Sequence, residues 1–220
     1  MSISKNLINL KSLLPSHVTL VAVSKTKPVT DLMEAYNAGQ RIFGENKIQE
    51  MVEKHDQMPK DIQWHMIGHV QTNKVKYMAP FVSLIHGVES LKLLKEINKQ
   101  ALKNNRIIEC LLQIKIAEED TKFGLPINEA LKIMQSKELS ELKNIRITGV
   151  MGMATFTDDE SQIQREFNNL KLAFNQLKSY DSNLNVISMG MSGDYQLAIE
   201  CGSNMIRVGS SIFGERNYNL

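Results

Sequence analysis

A lysine at the end of the first long apolar run has the residue type and position of a nucleophile. Lys25 follows the largely apolar stretch 18–23, and Pro28 comes three residues later, which predicts a buried strand, a turn and then a helix. A charged lysine is costly to bury, whereas an amine kept partly neutral can form an imine with a carbonyl compound. The alternative is a lysine that reaches from the strand end into water, and this stretch alone leaves both interpretations open.

Two stretches rich in glycine and serine have the composition of an anion site. They are residues 188–194 and 207–211, and each begins in a short apolar run. Glycine lets the backbone approach an anion closely, while serine hydroxyls and the N–H groups at a helix start donate hydrogen bonds. Ser192 could instead be a helix N-cap, and Gly209-Ser210-Ser211 could be an ordinary turn. The two stretches together predict a phosphate site, and a phosphate site opposite an imine-forming lysine suggests pyridoxal 5'-phosphate.

Short apolar runs alternate with amphipathic stretches along the chain, and these elements would position the groups above. The predicted strands are the run that ends near Lys25 and residues 41–44, 62–68, 81–86, 107–116, 145–151, 186–189 and 205–208. The predicted helices are residues 1–15, 31–38, 46–54, 73–78, 90–103, 128–137, 158–180 and 195–200. The alternation predicts an α/β fold, a single (β/α)8 TIM-type barrel with an extra N-terminal helix, as one domain over residues 1–220.

An open, doubly wound sheet is the alternative architecture, but no Gly-x-Gly-x-x-Gly turn follows the first strand. In a barrel, the carboxyl ends of all strands share one mouth. The side chains expected there are those of Lys25, Asn46, His65, Met151, Ser188 and Arg207. A period of two puts Val21 and Lys25 on one face of the first strand, and Met205 and Arg207 on one face of the last. If both faces point inward, the amine and the guanidinium share a cavity.

Composition excludes several function classes. The 220 residues carry a net charge of +2 with no basic run, so nucleic acid is not an expected partner. No apolar run approaches the roughly 20 residues of a membrane span, and no histidine pair has metal-ligand spacing. The two cysteines, Cys110 and Cys201, lie in apolar settings, which favours free thiols in a reducing, cytoplasmic compartment. Nothing in the sequence marks a large exposed apolar face, so we expect a monomer.

Six motifs, in order along the chain, resemble those of the pyridoxal phosphate homeostasis proteins. These proteins are single-domain barrels similar to the barrel half of alanine racemase. The motifs are Val23-Ser24-Lys25-Thr26-Lys27-Pro28, Phe43-Gly44-Glu45-Asn46, Trp64-His65-Met66-Ile67-Gly68, Gln71-Thr72-Asn73-Lys74, Ser188-Met189-Gly190-Met191-Ser192, and Arg207-Val208-Gly209-Ser210-Ser211-Ile212-Phe213-Gly214. The resemblance extends from about Val18 to Arg216.

The resemblance implies a set of cofactor contacts. Lys25 would form an internal aldimine with pyridoxal phosphate, and Arg207 would approach the pyridine nitrogen. The residues that would hold the phosphate are Ser192, Gly209, Ser210 and the backbone of Ser211. The residues that would line the pocket are Asn46, His65, Met151 and Met189.

Three positions qualify the resemblance. Lys122 and Gly124 match a Lys-x-Gly loop of the family after the fifth strand, where a solvated turn and a role near the pocket weigh equally. Lys47 stands where the family often has an aromatic residue, and Gly193 where an acidic residue is common. These departures put local loop contacts in doubt and leave the cofactor assignment as it is.

Arg207 also bears on whether the chain catalyses a reaction. A guanidinium offers donors only, so a pyridine nitrogen facing it stays unprotonated and the ring is a weaker electron sink. A racemase needs a second acid/base group, which in alanine racemase is a tyrosine brought by a second domain and a partner chain. The resemblance therefore implies a cofactor-binding protein of intracellular vitamin B6 homeostasis without catalysis of its own, which buffers pyridoxal phosphate or delivers it to apo-enzymes. The alternatives are a racemase-like enzyme acting on a small amino acid and a Schiff-base aldolase acting on a sugar phosphate.

Overall fold

Eight parallel strands close into a barrel within the residues that the computed structural model describes, 2–119 and 123–215. Each strand pairs with the next along the chain, and β8 pairs with β1 to complete the ring. The strands β1 to β8 are Thr19–Val23, Ile42–Glu45, Gln63–Met66, Val82–Val88, Ile108–Gln113, Ile145–Met151, Val186–Ser188 and Met205–Val208. The predicted (β/α)8 barrel is confirmed.

Helices cover the outside of this barrel, and one precedes the first strand as expected. In the described ranges the helices α1 to α10 are Ile3–Leu13, Val29–Asn37, Ile48–Gln57, Val75–Met78, Leu91–Lys103, Ile127–Gln135, Lys137–Glu141, Glu160–Lys178, Tyr195–Glu200 and Ser210–Phe213. Side-chain oxygens of Ser2, Ser90, Ser136 and Asp159 accept backbone N–H bonds at the starts of α1, α5, α7 and α8. Such caps satisfy donors that have no partner inside the helix.

The apolar side chains form two separate cores because alternate residues of each strand face opposite sides. Inside the ring, Val21, Leu84, Leu111, Met151 and Met205 pack together. The larger core lies between the strands and the helices and contains the fully buried aromatic rings of Phe43, Trp64 and Phe167. β1 is buried at its three central positions, and a strand covered on both faces reads as a nearly continuous apolar run.

Several element boundaries differ from the prediction by a few residues, and two of these differences have a clear local reason. The fifth strand ends at Gln113 rather than at residue 116, because the chain then turns to exchange backbone hydrogen bonds with Leu125. The helix predicted to residue 137 ends at Gln135, because Ser136 caps a new helix. Helix α10, one turn after β8, was missed altogether. Lys122 lies outside the described residues, so its predicted role stays a prediction.

We find no helix in the described ranges that is long and apolar enough to cross a bilayer. The carboxyl ends of the strands open at one end of the barrel, and this mouth carries the residues considered next.

Candidate functional site

Lys25 sits in a tight turn directly after β1, at the mouth of the barrel. The Ser24 N–H donates to the oxygen of Gly44 on β2 at 3.0 Å, and the Lys27 N–H donates back to the oxygen of Ser24 at 3.0 Å. Lys25 is half-buried. Its alternation partner Val21 belongs to the interior core and lies in register with Arg207 of β8. Val21 and Arg207 are therefore neighbours on two hydrogen-bonded strands, and Lys25 follows the end of the first of these strands.

A buried lysine fixes this turn from the side of the helices. Lys54 of α3 donates from Nζ to the main-chain oxygen of Ser24 at 2.7 Å and to Oε1 of Glu45 at 2.8 Å, and the Ser24 hydroxyl donates to the same carboxylate oxygen at 2.6 Å. Burial raises the pKa of Glu45 above its usual value, against the opposing effect of the Lys54 ammonium. Sequence analysis missed both residues. The one available signal is a glutamate inside the apolar strand β2.

A chain of buried polar groups crosses the inside of the barrel below the mouth. Arg207 donates from Nη1 to the Ser188 hydroxyl at 2.7 Å and from Nη2 to the oxygen of Gly152 at 3.0 Å. The Ser188 hydroxyl lies 3.1 Å from Nδ1 of His86, and Nε2 of His86 lies 3.0 Å from Nδ1 of His65. Four strands thus contribute to one hydrogen-bonded line.

The guanidinium sets the direction of this line. Arg207 can only donate, so the Ser188 oxygen accepts from it. If Ser188 also accepted from His86, its own buried proton would have no acceptor among the described residues, which is costly. The favoured arrangement has Ser188 donating to Nδ1 of His86, and Nε2–H of His86 donating to Nδ1 of His65. The remaining ring proton of His65 is then on Nε2.

Burial determines the charge states along the line. It lowers the pKa of His65 to about 3 and lowers the pKa of His86 well below its usual value, with the neighbouring His65 and Arg207 adding to the effect on His86. Burial also lowers the pKa of Arg207, to about 10, while Asp194 opposes this shift. At neutral pH the arrangement is therefore one cation followed by two neutral imidazoles.

Donors suited to an anion gather where the loops after β7 and β8 meet. The Gly209 N–H donates to the Ser192 hydroxyl at 3.2 Å, so the hydroxyl proton of Ser192 remains available to another acceptor. The N–H groups of Ser210 and Ser211 open α10 and donate to no described residue. Both serines are exposed. These groups could bind an anion, and we call the set of Ser192, Gly209, Ser210 and Ser211 the anion cradle.

The anion cradle lies against the end of β1. A Cβ atom added to Gly209 would stand 3.1 Å from the main-chain oxygen of Val23 and 3.3 Å from its Cβ. Glycine thus permits the close approach of the two chains. Asp194 borders the cradle and accepts the Met191 N–H at 2.5 Å, and burial raises the pKa of its carboxyl against the lowering effects of that bond and of Arg207.

The remaining predicted residues do not all lie on the same side of the strands. Met151 belongs to the interior core and His65 to the polar line. Asn46 follows β2 and is half-buried. Its main chain lies close to Gly68, since a Cβ atom added to Gly68 would stand 2.4 Å from the main-chain oxygen of Asn46. Met189 is fully buried in the outer core, so the structure does not bring its side chain together with that of Met151.

His86 was considered from the sequence only as a strand-end histidine without a metal partner. Its place in the polar line depends on contacts to β3 and β7, which are distant in the sequence. Within the described ranges, no group of three or more histidine, cysteine, aspartate or glutamate residues could hold a metal ion.

Comparison with known proteins gives one consistent result. The sequence model of the family described as "Alanine racemase, N-terminal domain" matches residues 1–217. The "Pyridoxal phosphate homeostasis protein" of Pasteurella multocida (strain Pm70) is 38% identical over 209 residues, which cover 93% of this chain and 89% of that protein.

Solved structures agree with this result. PipY of Synechococcus elongatus PCC7942 has been solved without PLP, with a TM-score of 0.91 and 33% identity to this chain, and with PLP bound, with a TM-score of 0.89 and 32% identity. Each match covers 97% of this chain and 100% of PipY. An alanine racemase of Clostridium difficile 630 has a TM-score of 0.81 at 17% identity over 99% of this chain and 61% of its own, which shows a shared fold.

Proposed function

The chain belongs to the pyridoxal phosphate homeostasis protein family, within the larger family of alanine racemase N-terminal domains, and from that premise we propose that it binds pyridoxal 5'-phosphate at the mouth of its barrel. Its role is to hold this cofactor reversibly and to buffer or deliver it in intracellular vitamin B6 homeostasis. The relative PipY has been solved with PLP bound, which supports the proposal.

One observation carries the assignment: the turn with the amine and the anion cradle are built on neighbouring strands. β1 and β8 are hydrogen-bonded, and Gly209 of the cradle lies against Val23, two residues before Lys25. A ligand with an aldehyde and a phosphate on one small ring needs an amine and an anion site at such close range. The donor set of the mouth therefore fits pyridoxal phosphate.

Each group at the mouth then has a role. When bound, pyridoxal phosphate supplies an aldehyde carbon that reacts covalently with an amine. Lys25 provides that amine, and the anion cradle holds the phosphate through N–H and hydroxyl donors. Arg207 would be the hydrogen-bond donor to the pyridine nitrogen. The residues that line the pocket are Asn46, His65, Met151 and Met189, the last through its main chain.

Holding the cofactor, rather than turning over a substrate, is supported by the charge states inside the barrel. Arg207 stays cationic at neutral pH, and a cationic donor at the ring nitrogen weakens the ring as an electron sink. The imidazoles of His65 and His86 are neutral at that pH and are therefore poor acids. They are hydrogen-bonded to each other, and His86 is also hydrogen-bonded to Ser188.

Reductive trapping tests the proposal. The protein is incubated with pyridoxal phosphate, reduced with borohydride and digested, and the labelled peptide is mapped by mass. We expect one phosphopyridoxyl group on Lys25, its loss in Lys25→Ala, and its retention in Lys47→Ala, which removes an exposed lysine close to the mouth. Label spread over surface lysines would contradict a dedicated site. Steady turnover of a small amino acid that disappears in Lys25→Ala would favour the racemase-like alternative instead.

Further parts of the proposal concern partner proteins, the cellular compartment and the oligomeric state. We propose that apo-enzymes requiring pyridoxal phosphate receive the cofactor, that the protein acts in the cytoplasm, and that it works as a monomer with the whole chain as one domain. The two described cysteines are free and buried, which supports a reducing compartment.

A further inference from the structure

Both residues that flank Lys25 are held by charged side chains of helix α3. On one side, Nζ of Lys54 donates to the main-chain oxygen of Ser24 at 2.7 Å. On the other side, Oε1 of Glu50 accepts the backbone N–H of Thr26 at 2.5 Å. The two anchors are joined, because Nζ of Lys54 also donates to Oε1 of Glu50 at 2.7 Å. One ion pair therefore fixes the main chain before and after Lys25.

The ammonium of Lys54 has a complete set of acceptors. Its three protons go to Ser24, Glu45 and Glu50, and its side chain is only 6% exposed. An ammonium in such a setting cannot move without leaving a buried charge or acceptor unpaired, which is costly. The anchor on the Ser24 side is consequently stiff.

The anchor on the Thr26 side holds a strained residue. Thr26 has a φ of +65°, in the left-handed region that branched side chains rarely occupy. Strained backbone of this kind persists only where surrounding contacts enforce it, and it concentrates at functional sites. The hydrogen bond from Thr26 to Glu50 is a contact of this type.

The simpler explanation is that Lys54 and its two glutamates only fasten α3 to β2. Two features count against it. Buried ion pairs often contribute little net stability compared with apolar residues of similar volume. In addition, two of the contacts go to the main chain at Ser24 and Thr26, which belong to neither α3 nor β2.

We propose that Lys54 and Glu50, with Glu45 behind them, are positioning residues that hold Lys25 where its amine meets the aldehyde carbon of the bound cofactor. This inference rests on the proposed function. Condensation of the Lys25 amine with an aldehyde forms a C=N bond and releases one water, and it requires the nitrogen at a defined distance and angle from the carbon. A misplacement of the nitrogen by about 1 Å can lower its effective concentration at the aldehyde carbon by roughly 100-fold.

Two ligands separate positioning of the amine from general integrity of the site. Pyridoxal 5'-phosphate has the ring, the phosphate and the aldehyde. 4'-Deoxypyridoxine 5'-phosphate keeps the ring and phosphate but has a methyl group in place of the aldehyde, so it reports only the noncovalent contacts. Affinities for both are measured by fluorescence titration for the parent, Lys54→Met and the control Lys95→Met, which removes the exposed ion pair between Lys95 and Glu138.

We expect Lys54→Met to weaken pyridoxal phosphate binding by roughly 10- to 100-fold and to leave binding of the deoxy compound within about twofold, while Lys95→Met matches the parent for both. Equal losses for the two ligands, or no loss for either, would overturn the inference. If the parent itself shows no preference for the aldehyde and no label on Lys25, the proposed function fails instead, so the two failures are distinct.

Glu50→Gln provides a second variant in case Lys54→Met does not fold. The amide oxygen keeps an acceptor for the Thr26 N–H but removes the charge that pairs with Lys54. We expect a selective loss for pyridoxal phosphate in the same direction but smaller, roughly 3- to 10-fold. Circular dichroism of each variant establishes that it is folded, and unchanged selectivity in folded Glu50→Gln would refute the positioning role.

Discussion

Two neutral histidines inside the barrel make the molecule sensitive to acid. His65 and His86 are hydrogen-bonded to each other and almost completely buried, so the folded state takes up protons on them only at low pH. In the unfolded chain the same side chains protonate near pH 6.5. Because the folded-state pKa is the lower one, their contribution to stability is present above about pH 6.5 and is lost as the pH falls towards 3.

We therefore expect the free energy of unfolding to fall by roughly 1.4 kcal/mol for each pH unit and each of these histidines between pH 6 and 5. Urea denaturation at several pH values measures the slope. His86→Gln should reduce the slope of the free energy of unfolding against pH by about the contribution of one histidine. The control His17→Gln, which removes an exposed ring, should keep the parent slope. A His86→Gln slope equal to that of the parent would contradict the neutral, buried state.

At this scale the sequence identified the residue types but not their connections. Lys25 and Arg207 were proposed as site residues because a charged residue in or next to an apolar strand is conspicuous. The pairing of Lys54 with Glu45, and of His86 with Ser188, could not be predicted, because each partner is ordinary in its own segment. Met189 was assigned to the pocket with Met151, yet its side chain faces the helices.

At the scale of elements, β6 and β7 approach so closely that one position has no room for a side chain. A Cβ atom on Gly149 of β6 would stand 1.9 Å from the main-chain oxygen of Val186 on β7. Backbone atoms cannot yield as a flexible side chain does, so the two strands would have to separate. The polar line depends on this contact, since β7 carries Ser188.

We expect Gly149→Ala to lower the free energy of unfolding by roughly 3 kcal/mol or more. The matched control is Gly193→Ala, where an added Cβ would have no atom within 4 Å, and it should change the same quantity by less than about 1 kcal/mol. Chemical denaturation of the three proteins provides the comparison. Similar values for the two variants would show that the strands separate more easily than this geometry implies.

Elements were predicted best where the apolar residues recur with a clear period and where particular residues indicate the start and end of the element. Strands β6 and β8 and helix α9 have the predicted bounds, and the long helix α8 differs by two residues at each end. The missed helix α10 has only four residues and begins at Ser210 without a side-chain cap. A segment that short has too few residues to show a helical period.

At the scale of the whole molecule, closure of the ring removes every sheet edge among the described strands. The large apolar side chains that are exposed in the described residues lie on separate elements. Examples are Ile8 on α1, Tyr77 on α4, Leu102 on α5 and Leu172 on α8. Stable obligate dimers instead need a large, continuous and mainly apolar interface.

We therefore predict that the protein has the mass of one chain, 24.9 kDa, in light scattering at all concentrations tested. Phe156 is 95% exposed, so this side chain would bury a large apolar area if a second chain covered it. Phe156→Ser should leave the mass unchanged. A parent mass near twice that of the chain, reduced by this substitution, would show an interface at Phe156 and contradict the monomer.

The seam between β1 and β8 joins the earliest strand of the barrel to the latest. Lys25 emerges from the ribosome when most of the barrel is still untranslated, whereas Arg207 and the serines of the anion cradle are translated 167 to 186 residues later. In the proposed site, a nascent chain would thus carry the amine long before it has the groups that bind the phosphate. On that proposal, cofactor binding would follow translation, and a truncated translation product would carry the amine without the groups that retain the phosphate.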